Sequence, residues 1–145
     1  LADELAELIR ETTPRLLFTH YPHDGHPDHV AACALVEAAR FWAKLVKTDM
    51  AGAPHYPAHI YHFMAVHLRL HEKPSFIVDI TDELPAKMSA MHCYASQFAN
   101  NPKNTEFARH VESTAAYFGG LIRTAAGEPF FAREPIGLAS PSRLL

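Results

Sequence analysis

The sequence predicts an α/β fold, a sandwich with a largely parallel sheet. Short apolar segments typical of strands alternate with segments whose apolar residues recur at helical spacing. Two of the strand-like segments run directly into helix-like ones, as in parallel βα units. With 145 residues and 48% hydrophobic residues, the chain has enough material for one core. Three strands are few for such a sheet, so we expect the chain to be the later part of a larger domain.

The first half of the chain predicts helix, strand and helix. Apolar residues at helical spacing in residues 5–9 begin the first helix, and Pro14 ends it. The packing partner of this helix is expected to be absent from this sequence. Residues 15–19 are typical of a short buried strand, and a long apolar-striped helix follows from Asp28 onward. The Gly and Pro content of residues 48–58 then predicts a loop.

Two further strands are predicted before the next helix. Residues 59–66 form the second strand, and residues 75–80 form the third, which Pro74 introduces. Thr81 or Asp82 is then expected to cap a helix, because both residue types accept hydrogen bonds from helical N–H groups. This junction is a second switch from strand to helix.

The last third of the chain predicts two helices and an irregular tail. The capped helix extends to about Phe98, and residues 100–102 break it. A final helix covers residues 107–122, where apolar side chains again recur at helical spacing. Beyond Gly127 the prolines are too frequent for a helix, so we expect a tail that wraps over the surface.

Charge and composition exclude several classes of partner. The net charge is −3 and the 13 basic residues form no run, so no nucleic-acid footprint is predicted. There is no apolar stretch of membrane-spanning length and no secretory leader pattern in this sequence, so no membrane partner is predicted. Cys33 and Cys93 lie in apolar helical patterns and are expected to be reduced core residues, which favours a cytoplasmic protein.

Histidine is the unusual component of this sequence. Eleven histidines raise the expectation of a metal or proton-transfer site. Residues 20–29 (HYPHDGHPDH) hold four imidazoles and two carboxylates: His20, His23, His26, His29, Asp24 and Asp28. They follow the first strand, where open α/β sheets bind ligands. This composition favours a metal site in which His26 and His29 face one cavity and Asp28 accepts from an imidazole. A solvated surface turn is the alternative interpretation.

The motifs together resemble a known enzyme family. The segments are LLFTHYPHDGHPDHVAA, PSFIVDITDELPAKMSAMHCYASQF and GEPF. They resemble the LmbE-like, or PIG-L, family of zinc-dependent de-N-acetylases, in particular the branch that deacetylates the N-acetylglucosaminyl-malate precursor of bacillithiol. The resemblance covers nearly the whole chain. It implies a Rossmann-like three-layer α/β/α sandwich with a mostly parallel sheet, an N-deacetylase activity and a Zn²⁺ cofactor, with Fe²⁺ as the alternative divalent ion.

The resemblance also implies roles for three residues. His29 matches the third metal ligand of the family. His26 matches the histidine that stabilises the oxyanion and protonates the leaving amine, and Asp28 matches the carboxylate that orients and charges that histidine. The implied partner is a small amino-sugar substrate. Relatives form homo-oligomers, so a hexamer or trimer is expected.

Two departures from the family pattern leave alternatives open. The family's His-Pro-Asp-Asp motif, with two metal ligands and a general base, is absent from this sequence. Residues 1–145 are therefore expected to be the carboxy-terminal portion of one deacetylase domain, or else a non-catalytic histidine-rich binding module that kept the fold. Gly25 stands where the bacillithiol branch commonly has arginine, a natural contact for a carboxylate. Another amino-sugar or natural-product conjugate is therefore the alternative substrate.

The remaining polar residues receive more modest predictions. Tyr21 and His23 border the expected pocket and are predicted to contact substrate. Packing or rim positions are expected for the histidines of the second strand and of the following loop: His59, His62, His67 and His71. Asp79 is expected to serve as an acceptor at the helix start. No physical argument gives Glu128 a catalytic role.

Overall fold

The computed structural model of the protein describes residues 1–65, 72–98, 101, 104, 106–140 and 142. The chain divides into two compact units. Unit 1 comprises Leu1–Lys73 and Phe131–Leu145, and unit 2 comprises Pro74–Phe130. The strands of the described residues belong to a single mixed sheet of four strands. The predicted α/β class is therefore confirmed.

The described residues form four helices and four strands. The helices are α1 (Ala2–Thr12), α2 (Pro27–Ala43), α3 (Leu84–His92) and α4 (Phe107–Ile122). The strands are β1 (Leu16–His20), β2 (His59–Phe63), β3 (Phe76–Asp79) and β4 (Gly127–Phe131). The first three strands and the helices α1, α2 and α4 lie where the sequence predicts them, within a few residues at their ends.

Unit 1 pairs β1 with β2 in parallel, from Leu16 opposite His59 to His20 opposite Phe63. Its helices α1 and α2 pack on each other through small and branched apolar side chains. The buried cluster consists of Ala6, Ile9, Ala39 and Ala43. The expectation that α1 lacks a packing partner is therefore wrong, because the alanine-rich face of α2 accepts it.

Arg10 stabilises the carboxyl end of α2 and the loop that follows α2 in the chain. Its side chain donates to the carbonyl oxygens of Ala43 at 3.0 Å, Met50 at 2.9 Å and Leu45 at 2.5 Å. A cation at a helix C-terminus also offsets the negative end of the helix dipole. The residue is buried, with 4% of its surface exposed, because these carbonyls replace its water shell.

Unit 2 contains a strand that the sequence analysis missed. β4 pairs with β3 in antiparallel register, with Phe76 opposite Phe130 and Asp79 opposite Gly127. The tail was predicted to be irregular after Gly127, because glycine and proline obscure a five-residue strand. Behind the pair, Ile80, Ala115 and Ala126 form the buried cluster of the unit, with Leu84 packed against it.

The helix that follows β3 is shorter than predicted and is not capped by a side chain. It begins at Leu84 after the N-cap Glu83, which makes no side-chain cap hydrogen bond, and it ends at His92. Asp79 Oδ1 instead accepts from the N–H of Thr81 at 3.0 Å and from its hydroxyl at 2.6 Å. These hydrogen bonds stabilise the carboxylate and hold the pKa of Asp79 below its ordinary value. The predicted cap at Thr81 or Asp82 is wrong.

Parts of several predictions fall outside the described residues. These are the end of the second strand at Val66, the loop residues His67 and His71, and the helix break at Asn100 and Pro102. Among the helices of the described residues, none is both long enough and apolar enough to cross a membrane.

Gly119 allows α4 to approach β4 closely. A Cβ atom at Gly119 would lie 2.6 Å from the backbone nitrogen of Ala126, whereas one at Gly120 would meet nothing within 4 Å. We expect Gly119→Ala to lower the free energy of unfolding by about 1–3 kcal/mol, as overpacking does. The matched variant Gly120→Ala should be neutral or stabilising by about 0.5–1 kcal/mol. Denaturant unfolding measures both, and equal stabilities of the two variants would refute this account of the packing.

Candidate metal centre

The loop between β1 and α2 brings three metal-ligating side chains together. His20 is the last residue of β1, Asp24 lies in the loop, and His29 lies in the first turn of α2. One potential ligand atom from each lies within 4.8 Å of the other two. Two imidazoles and one carboxylate are a donor set that suits zinc. We call these three residues the candidate metal centre.

Asp24 fixes the orientation and the tautomer of His29. Its Oδ2 lies 2.9 Å from His29 Nδ1, and its Oδ1 accepts from the backbone N–H of His26 at 2.8 Å. Because an ionised carboxylate only accepts, Nδ1 of His29 carries a proton, and in the neutral ring Nε2 then carries the lone pair. A carboxylate that holds one ring nitrogen while the other faces a metal is common in zinc sites.

His20 presents one buried ring nitrogen to the candidate metal centre. Its ring stacks on that of His29, with centroids 4.0 Å apart, and contacts the edge of Phe63 at 4.6 Å. Its Nδ1 is buried and has no hydrogen-bond partner among the described residues. Burial, followed by the neighbouring His29, lowers the pKa of His20 and favours the neutral ring. An unpaired buried nitrogen is costly unless something binds it.

His26 caps α2 and lies against the candidate metal centre. Its Nδ1 accepts from the backbone N–H of Asp28 at 3.2 Å, and Pro27 follows in the first helical position. Its ring stacks on His29 with centroids 4.7 Å apart. In the neutral ring Nδ1 is thus the acceptor, so Nε2 carries the hydrogen that can be offered to a ligand.

The Asp28 side chain makes a weaker contact with His26 than the resemblance implies. Its carboxylate is 88% exposed and lies 3.9 Å from His26 Nδ1, beyond hydrogen-bond distance. The orienting carboxylate that the geometry shows is Asp24, and it orients His29. The sequence places Asp24 in the loop but predicts no role for it. No fixed spacing indicates that a loop residue will contact a side chain five positions later, as Asp24 contacts His29.

The two predicted substrate contacts have different surroundings. Tyr21 is buried, with 2% of its surface exposed, and its ring packs edge-on against Phe131 at 5.0 Å and His23 at 5.7 Å. Burial, with a contribution from Glu72, raises the pKa of Tyr21. His23 is exposed at the same loop. Of the two, only His23 presents a side chain to solvent, and substrate contact by either residue stays a prediction.

A second set of donors lies farther along α2. Atoms of Cys33, Glu37 and His62 all lie within 4.8 Å of one another. His62 is fully buried, in agreement with the packing role predicted for it. No sequence pattern connects these residues, because His62 lies on β2 and only the fold brings it to α2.

The two cysteines differ in exposure and should differ in reactivity. Cys33 is buried as predicted, whereas Cys93 is exposed at the end of α3, which corrects the expectation of two core cysteines. Burial, followed by Glu37, raises the pKa of Cys33 to about 11. Since the thiolate is the reactive form, Cys33 should resist a disulfide reagent near pH 8 in the folded protein while Cys93 reacts promptly. Thiol titration before and after unfolding checks this, and rapid labelling of Cys33 in the folded state would contradict it.

Comparisons with known proteins connect this loop to one family. The profile of the family "PIG-L: GlcNAc-PI de-N-acetylase" matches residues 1–40, which contain the candidate metal centre. The diacetylchitobiose deacetylase of Thermococcus kodakarensis is 28% identical over 125 residues, covering 81% of this chain and 45% of that protein.

Solved structures share the fold. A conserved protein of Thermus thermophilus has a TM-score of 0.83 and 30% identity, over 97% of this chain and 60% of that one. The N,N'-diacetylchitobiose deacetylase of Pyrococcus horikoshii has a TM-score of 0.70 and 23% identity, over 89% and 49% of the two chains. The chain thus spans about half the length of these deacetylases. The chain is thus similar to PIG-L proteins over residues 1–40 and to a diacetylchitobiose deacetylase over most of its own length.

Proposed function

We propose that this chain is the carboxy-terminal portion of a metal-dependent de-N-acetylase domain that acts on an N-acetylglucosamine conjugate. The observation that carries the proposal is the convergence of His20, Asp24 and His29 beside the ring of His26. The family profile over residues 1–40 and the similarity to a diacetylchitobiose deacetylase support it.

The residues present fit a divalent metal ion. The buried Nδ1 of His20, which has no hydrogen-bond partner among the described residues, and the Nε2 of His29 are suitable nitrogen donors. We propose His29 as a ligand, with His20 and Asp24 as the other candidates in this chain. A divalent ion supplies Lewis-acid polarisation of an amide carbonyl and makes water a stronger nucleophile near neutral pH. Zinc is the proposed ion, and Fe²⁺ is the alternative.

His26 is the residue proposed to handle charge and protons. Nε2–H of His26 can donate to the oxygen of the scissile amide as negative charge develops there. When Nδ1 of His26 is protonated, it no longer accepts from the N–H of Asp28. The Asp28 carboxylate, 3.9 Å from Nδ1, then offsets the positive charge of the ring. The doubly protonated ring then has a proton to give to the departing amine. In this proposal Asp28 stabilises the positively charged form of His26 and does not orient the neutral ring.

The proposed substrate class is an acetylated glucosamine whose second group is not fixed by the sequence. The bacillithiol precursor, N-acetylglucosaminyl-malate, is the favoured substrate from the motif resemblance. Gly25 offers no cation for the malate carboxylates, and the name of the Thermococcus relative points to diacetylchitobiose as the alternative. We also propose a cytoplasmic homo-oligomer, a hexamer or trimer, which cell fractionation and light scattering would check.

Acetate release by the complete protein tests the proposal. The metal-free protein should be inactive towards both N-acetylglucosaminyl-malate and diacetylchitobiose. Addition of Zn²⁺ or Fe²⁺ should restore release of acetate in equal amount to free amine from at least one of them. If the metal-loaded protein releases no acetate from either compound, the non-catalytic histidine-rich module becomes the better interpretation.

A further inference from the structure

Helix α2 presents a second group of donors along the face that begins with His29. Cys33 and Glu37 follow His29 at successive intervals of four residues, so the three side chains share one face of the helix. His62 reaches the same face from β2, and donor atoms of Cys33, Glu37 and His62 lie within 4.8 Å of one another. We propose that these three residues bind a second divalent cation of the zinc class.

Both ring nitrogens of His62 face oxygen atoms, an arrangement that a positive charge would stabilise. Its Nδ1 lies 3.3 Å from the carbonyl oxygen of Phe131, and its Nε2 lies 3.3 Å from Glu37 Oε1. Both oxygens only accept, whereas a neutral imidazole has one N–H. In either neutral tautomer, a ring lone pair therefore faces an oxygen lone pair. A cation between Nε2 and Glu37 removes this conflict, because Nδ1–H can then donate to Phe131.

The groups around the three donors have the arrangement that metal ligands usually have. A histidine ligand commonly donates its other N–H to a backbone carbonyl, here that of Phe131, and a carboxylate ligand is commonly held by a further donor. Nη1 of Arg133 lies 2.7 and 2.8 Å from the two oxygens of Glu37. The Arg133 side chain is half exposed, so it can keep this contact from the solvent side.

Binding at this cluster balances in atoms and charge. The thiol of Cys33 loses its proton to solvent, and bonds form from the cation to sulfur, to Nε2 of His62 and to one oxygen of Glu37. The ion, one thiolate and one carboxylate together carry no net charge, which suits a place where Cys33 is only 2% exposed, and the positive charge of Arg133 remains at the solvent side. Zinc–ligand bonds of about 2.0–2.3 Å place neighbouring donors about 3.5 Å apart, and the 3.3 Å between His62 Nε2 and Glu37 Oε1 is close to this spacing.

Cobalt(II) is a probe that separates this cluster from the candidate metal centre. A cysteine ligand gives Co²⁺ a thiolate charge-transfer band in the near ultraviolet, and His20, Asp24 and His29 offer no sulfur. We expect the metal-free complete protein to show this band when Co²⁺ is added. Cys33→Ser should lose the band, whereas the matched variant Cys93→Ser, which removes the other cysteine of this chain, should keep it.

The remaining variants distinguish failure here from failure of the proposed function. His29→Ala should keep the thiolate band, since that residue belongs to the other site. His62→Gln should weaken Co²⁺ binding more than Arg133→Gln does, because His62 is a proposed ligand whereas Arg133 only holds Glu37, a role whose loss costs about 10–100-fold in metal affinity. Absence of the band in the parent protein overturns the proposal even if Cys33→Ser fails to fold. A doubly protonated His62 seen by NMR in excess Zn²⁺ would overturn it too, because a proton and not a metal ion would then lie between Nε2 and Glu37.

Discussion

Replacing His29 with alanine is expected to remove the divalent ion from the candidate metal centre and to abolish deacetylation with it. Asp24 holds the ring so that Nε2 faces away from the carboxylate, and alanine offers no donor in its place. Loss of a group that merely orients a ligand typically costs about 10–100-fold in metal affinity, and loss of the ligand itself should cost more. Calorimetric titration of the metal-free protein with Zn²⁺ measures the change.

The matched control for this prediction is His110→Ala. His110 is an exposed histidine on α4, so its loss should leave the high-affinity metal stoichiometry unchanged. His29→Ala should lower that stoichiometry by one ion. If both variants bind zinc as the parent does, His29 is not a ligand and its hydrogen bond to Asp24 serves only to fix the loop.

Replacing His26 should reduce turnover by about 10²–10⁴-fold, the range typical of a general acid or base, while the metal content stays the same. His26 also caps α2, and alanine would lose the cap at a cost of about 1 kcal/mol. His26→Asn is therefore the sharper variant, since asparagine is a favoured N-cap residue and cannot donate a proton to the amine. Steady-state kinetics and metal analysis of His26→Ala and His26→Asn test both roles.

The expected pattern is equal loss of turnover in both variants, with lower stability in the alanine variant alone. Full activity of His26→Asn would show that His26 acts in this protein only as a helix cap. Loss of metal from either variant would show that the roles of His26 and His29 are not separate.

Local patterns in the sequence predicted α1, α2, α4 and the first three strands, because each carries its own apolar periodicity. The strand β4 was missed, since its glycine and Pro129 look like a loop until pairing with β3 is known. The exposure of Cys93 was also missed, because the apolar pattern continues past the point where α3 ends. The spacing of apolar residues indicates which face of a helix is buried, but it does not indicate the residue at which the helix ends.

The candidate metal centre was predictable only in part, for a related reason. The His-Pro-Asp-His motif drew attention to His26 and His29, which the structure stacks on each other. The positions of His20 and Asp24 depend on how the loop closes over β1. The cluster of Cys33, Glu37 and His62 depends on α2 and β2 meeting, which no local pattern contains.

Anomalous diffraction from crystals of the complete protein loaded with Zn²⁺ would locate the bound ion. We expect a zinc peak about 2.0–2.1 Å from a ring nitrogen of His29, within reach of the rings of His20 and His26. A peak more than ~3 Å from His29, or no peak at this loop in protein that contains zinc, would contradict this expectation.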